Sequence, residues 1–149
     1  MQERTTLDGT ARWLCRFDNF QRAFILLRAC VEDMGEREFT QLEKEGVIRR
    51  FGYTWELSWK VLKDYLEHKG IVLDTVTPAA VLREALAAKI IDRGDVWMRA
   101  LDARSGISDT CDLKTFERII LEIRHYYLAI LGELYLYLLQ KQTEYPSGG

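Results

Sequence analysis

The chain has 149 residues, 48% hydrophobic and 30% charged, with a formal net charge of −2 and an isoelectric point near 5.8. This length and composition suit one ordinary globular domain. The balanced charge excludes a general polyanion-binding surface, because sequence-independent nucleic-acid binding needs a strongly basic field. We therefore predict a single domain over 1–149, with its core at about 10–142 and flexible tails at 1–9 and 143–149.

The three cysteines, Cys15, Cys30 and Cys111, have no paired CxxC spacing. Cys15 and Cys30 fall on one predicted helix, about 22 Å apart at about 1.5 Å per residue, which is far beyond the reach of a disulfide. Reduced thiols and a cytoplasmic location are therefore expected. The polar N-terminus has no signal-peptide core, and the longest apolar run is too short to span a bilayer.

The first predicted helix follows Thr10, a suitable N-cap residue, and ends near Gly35. Its apolar residues recur every three or four positions, as in helices of a bundle. They are Trp13, Phe17, Phe20, Phe24, Leu27 and Val31. The polar segment 34–46 that follows predicts a connecting loop, with a short helical turn at 41–45.

The second predicted helix begins near Ile48 and carries the largest apolar stripe in the chain. At about 100° per residue, its stripe residues fall within an arc of roughly 80°. They are Phe51, Trp55, Trp59, Leu62 and Leu66. Gly70 predicts the end of this helix, because glycine readily adopts the left-handed conformation that follows a helix.

An extended connector at 71–76 leads to a third helix, which Thr77 and Pro78 start and which continues to about residue 91. A break at 92–95 precedes a shorter helix that carries Trp97. The polar segment 102–112 contains a glycine, so we expect a loop or a frayed helix end there.

The last helix is predicted from about 113 to 142, with Asp112 as its cap. Its core face is formed by Phe116, Ile119, Ile120, Ile123, Tyr127, Ile130, Leu134 and Leu138. Its second half is apolar around much of its circumference, and such a helix needs cover on more than one face. We therefore predict a subunit or partner interface at Tyr127, Leu128, Leu131, Tyr135 and Leu139. Together the elements predict an all-α, up-and-down bundle of four to five helices.

Most catalytic signatures are absent from the sequence. It has no glycine-rich phosphate loop, no HExxH, no GxSxG and no paired CxxC. The two histidines, His68 and His125, lack a second metal ligand at suitable spacing. The sequence therefore predicts no metal, no cofactor and no catalytic residue.

Two polar groups remain as candidates for binding. Glu56 and Lys60 lie one turn apart on the second helix, where a surface ion pair would explain them equally well. The segment 102–112 is either a solvated loop or, through Arg104 and neighbouring hydroxyls, a site for a phosphate or nucleotide.

Four ordered blocks of the chain resemble a known family. They are RFDNFQRAFILL, LEKEGVIRRFGYTWELSWKVLKDYLEHKG, TPAAVLREALAAKII and WMRALDARSGISDTCD. Over about residues 12–130 the chain resembles the nucleotidyltransferase substrate-binding proteins, which are small helical relatives of HEPN domains, usually encoded beside a minimal nucleotidyltransferase. The resemblance implies a helical bundle that forms a homodimer and associates with the nucleotidyltransferase subunit.

Better-studied relatives of that family are toxin–antitoxin systems, in which the HEPN member is a metal-independent ribonuclease. The nucleotidyltransferase silences it by attaching AMP to a tyrosine. The ribonuclease motif is an arginine, a spacer of about four to six residues, a histidine, any residue and a tyrosine. Here Arg104 matches the arginine, but Ser105 follows it where asparagine is frequent, Asp109 replaces the histidine and Cys111 replaces the tyrosine.

These replacements lead to our leading hypothesis. Aspartate is a poor acid and base near neutral pH, and cysteine has no phenol to modify. The resemblance therefore implies a non-catalytic subunit that helps bind the substrate of a nucleotidyltransferase. Its ligand, a nucleotide or RNA, would contact Arg104, Ser105, Asp109, Glu56 and Lys60. Two alternatives stay open: a toxin ribonuclease with an altered active site, and an oligomeric helical adaptor without a ligand.

Overall fold

The structure is a computed structural model, and it describes the backbone of residues 2–35, 37–109 and 112–144 and the side chains of 10–35, 37–107 and 112–144. Every regular element within these residues is helical. The elements are α1 (Gln2–Met34), α2 (Gln41–His68), α3 (Pro78–Ala87), α4 (Gly94–Asp109), α5 (Leu113–Glu122) and α6 (Leu128–Gln142), with a π-helical turn at Ile123–Tyr127. The predicted all-α class is confirmed.

The long helices run alternately up and down. Trp13, near the start of α1, contacts Tyr65, near the end of α2, with ring centroids 4.9 Å apart, so these helices are antiparallel. The continuous rod of α5, the π turn and α6 runs parallel to α2, because Lys44 pairs with Glu117 at one end and Tyr65 contacts Tyr137 at the other. Between them in the chain, α4 runs opposite to the rod, because Arg99 pairs with Glu122 at the end of α5 while Gly106 lines one pocket with Thr115 at its start. The order α1, α2, α4 and rod is that of an up-and-down bundle.

The aromatic stripe of α1 forms one wall of the core, as predicted, and all six of its residues are buried. The start of α1 differs from the prediction. The helix begins at Gln2, within the predicted N-terminal tail, so Thr10 lies inside it and is not its N-cap. No proline or glycine pair interrupts the segment before Thr10, so the helix continues through it. The helix ends at Gly35, whose φ of 55° is left-handed.

The start of α2 lies earlier than the sequence predicted, at Gln41, so the helical turn predicted at 41–45 is the first turn of α2 and not part of the loop. Thr40 caps the helix: its hydroxyl accepts from the Glu43 amide at 3.2 Å, and the Glu43 carboxylate accepts from the Thr40 amide at 2.9 Å. This reciprocal capping box satisfies amides that the first turn leaves unpaired. Hydrogen bonds from Arg37 and then from Thr40 lower the pKa of Glu43 from 4.5 to about 2.

The third helix begins at its Thr77 cap as predicted but ends at Ala87, earlier than residue 91. Lys89 takes up the left-handed conformation with φ 61°. The Ile90 amide then donates to the Ala85 carbonyl at 3.0 Å, which closes the helix end. Glycine is the usual residue at this position, and its absence hid the helix end from the sequence prediction.

The fourth helix continues through the segment expected to be a loop or a frayed end, as far as residue 109. Tertiary packing explains this length, because Trp97 of α4 contacts Trp55 of α2 with ring centroids 5.4 Å apart. Packing of this kind overrides the low helix propensity of Gly106.

The last predicted helix is present over 113–142, with Asp112 accepting from the Lys114 amide as its cap. Its eight predicted core residues are buried, except for Phe116, which is half-buried. The π turn was not predicted. It adds a residue to one turn and shifts the face that α6 presents to the core, and Leu131 is fully buried.

The described helices include none that is long and apolar enough to cross a membrane. Cys15 is exposed, Cys30 is half-buried, and both are free thiols, as predicted. Cys111 and the last part of the predicted C-terminal tail, 145–149, lie outside the described residues.

Candidate functional site

Arg104 extends from α4 onto the surface of α2 beside Gly52. Its Nε donates to the Gly52 carbonyl at 3.3 Å. A Cβ atom placed on Gly52 would lie 3.2 Å from that Nε and 3.5 Å from Cζ. The missing side chain at Gly52 therefore lets the guanidinium approach the backbone of α2 closely. Two helices hold this arginine in place.

Glu56 lies one turn after Gly52 and approaches the same arginine. Its Oε1 is 3.7 Å from the Arg104 Nε, with the side chains 37% and 27% exposed, respectively. Its other oxygen accepts from the Trp59 indole nitrogen at 3.1 Å. The carboxylate thus bridges a tryptophan and an arginine at the boundary between α2 and α4.

Lys60 lies one turn further along the same charged face of α2 and is half-buried. Among the described side chains, Lys60 has no ion-pair partner, because the carboxylate of Glu56 is directed to Arg104 and Trp59. The surface ion pair considered for Glu56 and Lys60 is therefore not formed. Lys60 therefore lies one helical turn from the Arg104 cluster, which is formed by Arg104, Gly52, Glu56 and Trp59.

The remaining predicted site residues lie on or after the end of α4. Ser105 is exposed. Asp109 is the last residue of α4, but its side chain lies outside the described part of the chain, as does Cys111. The structure therefore brings Arg104 and Glu56 together, places Lys60 a turn away, and leaves Ser105 on the adjacent surface.

Two residues of this cluster were not predicted as site residues. Gly52 is an isolated glycine inside a strong helical pattern, which is a sign of close backbone approach. Trp59 was assigned to the core stripe alone, and the structure shows that its indole nitrogen also binds Glu56. The three-residue spacing of Glu56 and Trp59 on a helix was the available signal.

The predicted interface residues fall into two groups. Tyr127 and Leu131 are buried within the core of this chain, at 1% and 0% exposure. Leu128, Tyr135 and Leu139 are half-buried. Beside them Leu136, which belongs to the same apolar half of the predicted helix, is 62% exposed.

A groove with a cavity volume of about 850 Å³ lies between α1 and the α5–α6 rod. Phe24, Leu128 and Tyr135 form part of its apolar surface. Charged residues of both signs also line it: Arg28, Arg124, Glu32 and Glu133. The groove is therefore amphipathic and is separate from the Arg104 cluster.

The ribonuclease spacing occurs a second time in the chain, at Arg118, His125 and Tyr127. The structure separates the histidine from the other two residues. Arg118 and Tyr127 line a small pocket between α4 and α5, whereas His125 lines the groove beside α1. Tyr127 is buried, and its hydroxyl donates to Glu122 at 3.0 Å. The three side chains do not converge on one site.

The other histidine, His68, packs against the rings of Trp13 and Tyr65, with centroids 6.1 and 6.2 Å away. Burial lowers the pKa of its imidazole. Neither histidine is placed beside Arg104. Within the ranges whose side chains are described, no three His, Cys, Asp or Glu residues are grouped to hold a metal ion.

Comparison with known proteins gives one family. A family model described as "Nucleotidyltransferase substrate binding protein like" matches residues 15–140. A search of curated proteins found no match. The matched region includes α2, α4 and the Arg104 cluster. Because the match covers most of its length, the chain belongs to the nucleotidyltransferase substrate-binding protein-like family.

Proposed function

We propose that this protein is a non-catalytic subunit that associates with a minimal nucleotidyltransferase and helps to hold that enzyme's substrate. Family membership supports the association. The observation that carries the binding role is the fixed position of Arg104 between the Gly52 carbonyl and the Glu56 carboxylate. A guanidinium that neighbouring groups already orient loses little conformational freedom when it binds an anion.

The proposed ligand is a nucleotide. Arg104 and Lys60 supply positive charge for phosphate oxygens, since arginine and lysine are the usual phosphate-binding side chains. Trp59 is half-buried, so part of its indole is accessible for stacking on a base. Glu56 supplies a carboxylate that can accept hydrogen bonds from a sugar or base.

The assignment of a non-catalytic role rests on the histidines: among the described side chains, neither of the two lies beside Arg104. Cleavage of RNA without a metal needs an acid and base that titrates near neutral pH, and histidine is the side chain suited to this. His68 lies against Trp13, and His125 lines the groove between α1 and the α5–α6 rod. The family's histidine position holds Asp109 instead.

We further propose that the protein is a homodimer that pairs through the groove between α1 and α6. The apolar surface there includes Leu136, which is 62% exposed. The groove carries Arg28 and Arg124 together with Glu32 and Glu133. A two-fold axis brings the same patch of two copies together, so a surface with both signs of charge can be complementary to itself.

The test of the binding role is to purify the protein together with the nucleotidyltransferase encoded beside it and to identify retained small molecules by mass spectrometry. We expect Arg104→Ala to reduce the retained nucleotide about tenfold, the usual effect of losing a charge-assisted hydrogen bond. Arg104→Lys, which keeps the charge, should retain more nucleotide than Arg104→Ala.

Arg83→Ala is the matched control, because Arg83 is an exposed arginine of α3. This variant should retain nucleotide as the wild type does. Equal retention by wild type and Arg104→Ala would contradict the proposed site. Metal-independent RNA cleavage that disappears in Arg104→Ala would instead favour the toxin ribonuclease.

A further inference from the structure

A small pocket, lined mostly by polar and charged residues, lies between α4 and α5, on the side of α4 opposite to the Arg104 cluster. Its volume is about 220 Å³, or roughly seven water molecules at about 30 Å³ each. This is smaller than the cavities of about 300–1,000 Å³ that hold drug-sized ligands. The pocket therefore suits a small metabolite.

One residue of the π-helical turn, Tyr127, lines the pocket together with Glu122 of α5. Tyr127 ends this turn and is 1% exposed, and its hydroxyl donates to Glu122 Oε1 at 3.0 Å. Burial, followed by this hydrogen bond, raises the pKa of the tyrosine, so its hydroxyl stays protonated. Single π-helical turns inside α-helices occur frequently at functional sites.

Two guanidinium groups line the pocket from facing helices. Arg99 of α4 lies with its Nη2 3.9 Å from Glu122 Oε2 and with its guanidinium carbon 5.0 Å from the centre of the Tyr126 ring. Arg118 of α5 lines the same pocket and has no ion-pair partner among the described side chains. Two arginines converging on one space match the charge and oxygen geometry of a phosphate group.

Acceptor and hydroxyl groups lie one helical turn from the two arginines, with Asp102 after Arg99 on α4 and Thr115 before Arg118 on α5. Asp102 is exposed at the rim, and within the described residues it makes no ion pair. Thr115 adds a hydroxyl, which donates to Asp112 at 3.1 Å. A free carboxylate beside two arginines disfavours a simple anion, but it can accept hydrogen bonds from the hydroxyls of a sugar.

We propose that the pocket between α4 and α5 is a second binding site, which takes a small phosphate ester with free hydroxyl groups, such as a sugar phosphate. Arg118 and Arg99 bind the phosphate, and Asp102 accepts hydrogen bonds from the hydroxyls. Tyr127 and Glu122 fix Arg99 in position. This site is independent of the proposed Arg104 site, because Arg104 lies against α2.

The test is a titration of the isotopically labelled protein with ribose 5-phosphate, inorganic phosphate and ribose, followed by amide chemical shifts. Ribose 5-phosphate should bind with a dissociation constant below about 1 mM, more tightly than either fragment. The shifts should centre on amides of Arg99, Gly106 and Thr115.

Arg118→Ala should weaken binding of ribose 5-phosphate about tenfold, whereas Lys114→Ala, which removes the same charge from an exposed residue outside the pocket, should change it less than about twofold. Asp102→Asn should weaken ribose 5-phosphate more than inorganic phosphate. Arg104→Ala should leave the binding of ribose 5-phosphate unchanged, which separates this pocket from the nucleotide site.

Shifts centred elsewhere, equal effects of Arg118→Ala and Lys114→Ala, or no binding at about 10 mM would overturn the proposal.

Discussion

Asp64 carries a carboxylate that is buried between α1 and α2. Its side chain is 1% exposed, and Arg16 of α1 donates to it from Nε at 3.0 Å. Lys63 lies 3.6 Å from the second oxygen, which has no hydrogen-bond partner among the described atoms. A buried charge needs compensation, so the stability of the α1–α2 contact depends on Arg16.

Removing the Arg16 side chain should therefore lower the free energy of unfolding more than removing an exposed arginine from the same helix. Breaking a fully buried ion pair costs about 3–5 kcal/mol, and Arg16 itself is 36% exposed, so we expect Arg16→Ala to lower the free energy of unfolding by about 2–3 kcal/mol. Arg22→Ala removes an exposed pair with Asp18 and should cost less than about 0.5 kcal/mol. Urea denaturation measures both, and equal losses would contradict the role of Arg16.

At the scale of residues, the sequence predicted the charged members of the Arg104 cluster but not its geometry. Arg104 and Glu56 were both predicted, and they lie 3.7 Å apart. Their contact depends on Gly52, whose missing side chain has no consequence until α4 packs against α2. Such a tertiary contact cannot be read from the periodicity of either helix.

At the scale of elements, helix ends show where local sequence is enough and where it is not. Gly70 ends α2 with φ 86°, and the sequence predicted this end. Lys89 has the same role after α3 with φ 61°. A lysine does not mark a helix end in the sequence as a glycine does, so this end was not predicted. The start of α2 was recoverable, since Thr40 and Glu43 have the spacing of a capping box.

Substitutions after these two helices, at Lys89 and at Gly70, should change the free energy of unfolding in opposite directions. Lys89→Gly relieves a left-handed conformation that costs about 1–2 kcal/mol for residues with a side chain, offset by about 0.4–1 kcal/mol of extra chain entropy in the unfolded state. We expect a net gain of about 0.5 kcal/mol in the free energy of unfolding.

Gly70→Ala introduces the same strain and should lower the free energy of unfolding by about 1 kcal/mol. Urea denaturation of both variants at one pH checks the pair. A loss of stability in Lys89→Gly would show that the lysine side chain contributes more than its backbone strain costs.

The π turn explains why two residues predicted at an interface, Tyr127 and Leu131, are buried within the chain itself. The sequence showed a helix that is apolar around much of its circumference and assigned the excess to a subunit interface. Leu131 and Tyr127 instead face the core of the same chain. A π turn leaves no periodic signal in the sequence, so its effect on the register of α6 could not be predicted.

At the scale of the whole molecule, the dimer proposal predicts which exposed leucine matters. Leu136→Glu places a charge at the groove between α1 and α6 and should convert the dimer to a monomer, because an unpaired buried charge is costly at an interface. Leu42→Glu is the control, since Leu42 is 78% exposed on α2 and does not line the groove.

Light scattering coupled to size-exclusion chromatography distinguishes these outcomes. The wild type and Leu42→Glu should elute with twice the monomer mass of 17.4 kDa. A monomeric wild type, or a Leu136→Glu variant that remains dimeric, would contradict the proposed interface.

The fold of the whole molecule was largely predictable, because five of the six helices carry strong apolar periodicity and clear starts or ends. The partner was indicated by ordered blocks of sequence, and the family match over residues 15–140 supports it. The ligand site was less predictable, since it depends on contacts between helices that are distant in the chain, 52 residues apart for Arg104 and Gly52.

The most direct test of the central claim is to titrate the purified protein with a minimal nucleotidyltransferase from the same organism and to measure the mass of the complex by light scattering. We predict one complex that contains both proteins and is stable at about 10 μM. Separate elution of the two proteins at that concentration would contradict the proposal that this chain is a nucleotidyltransferase subunit.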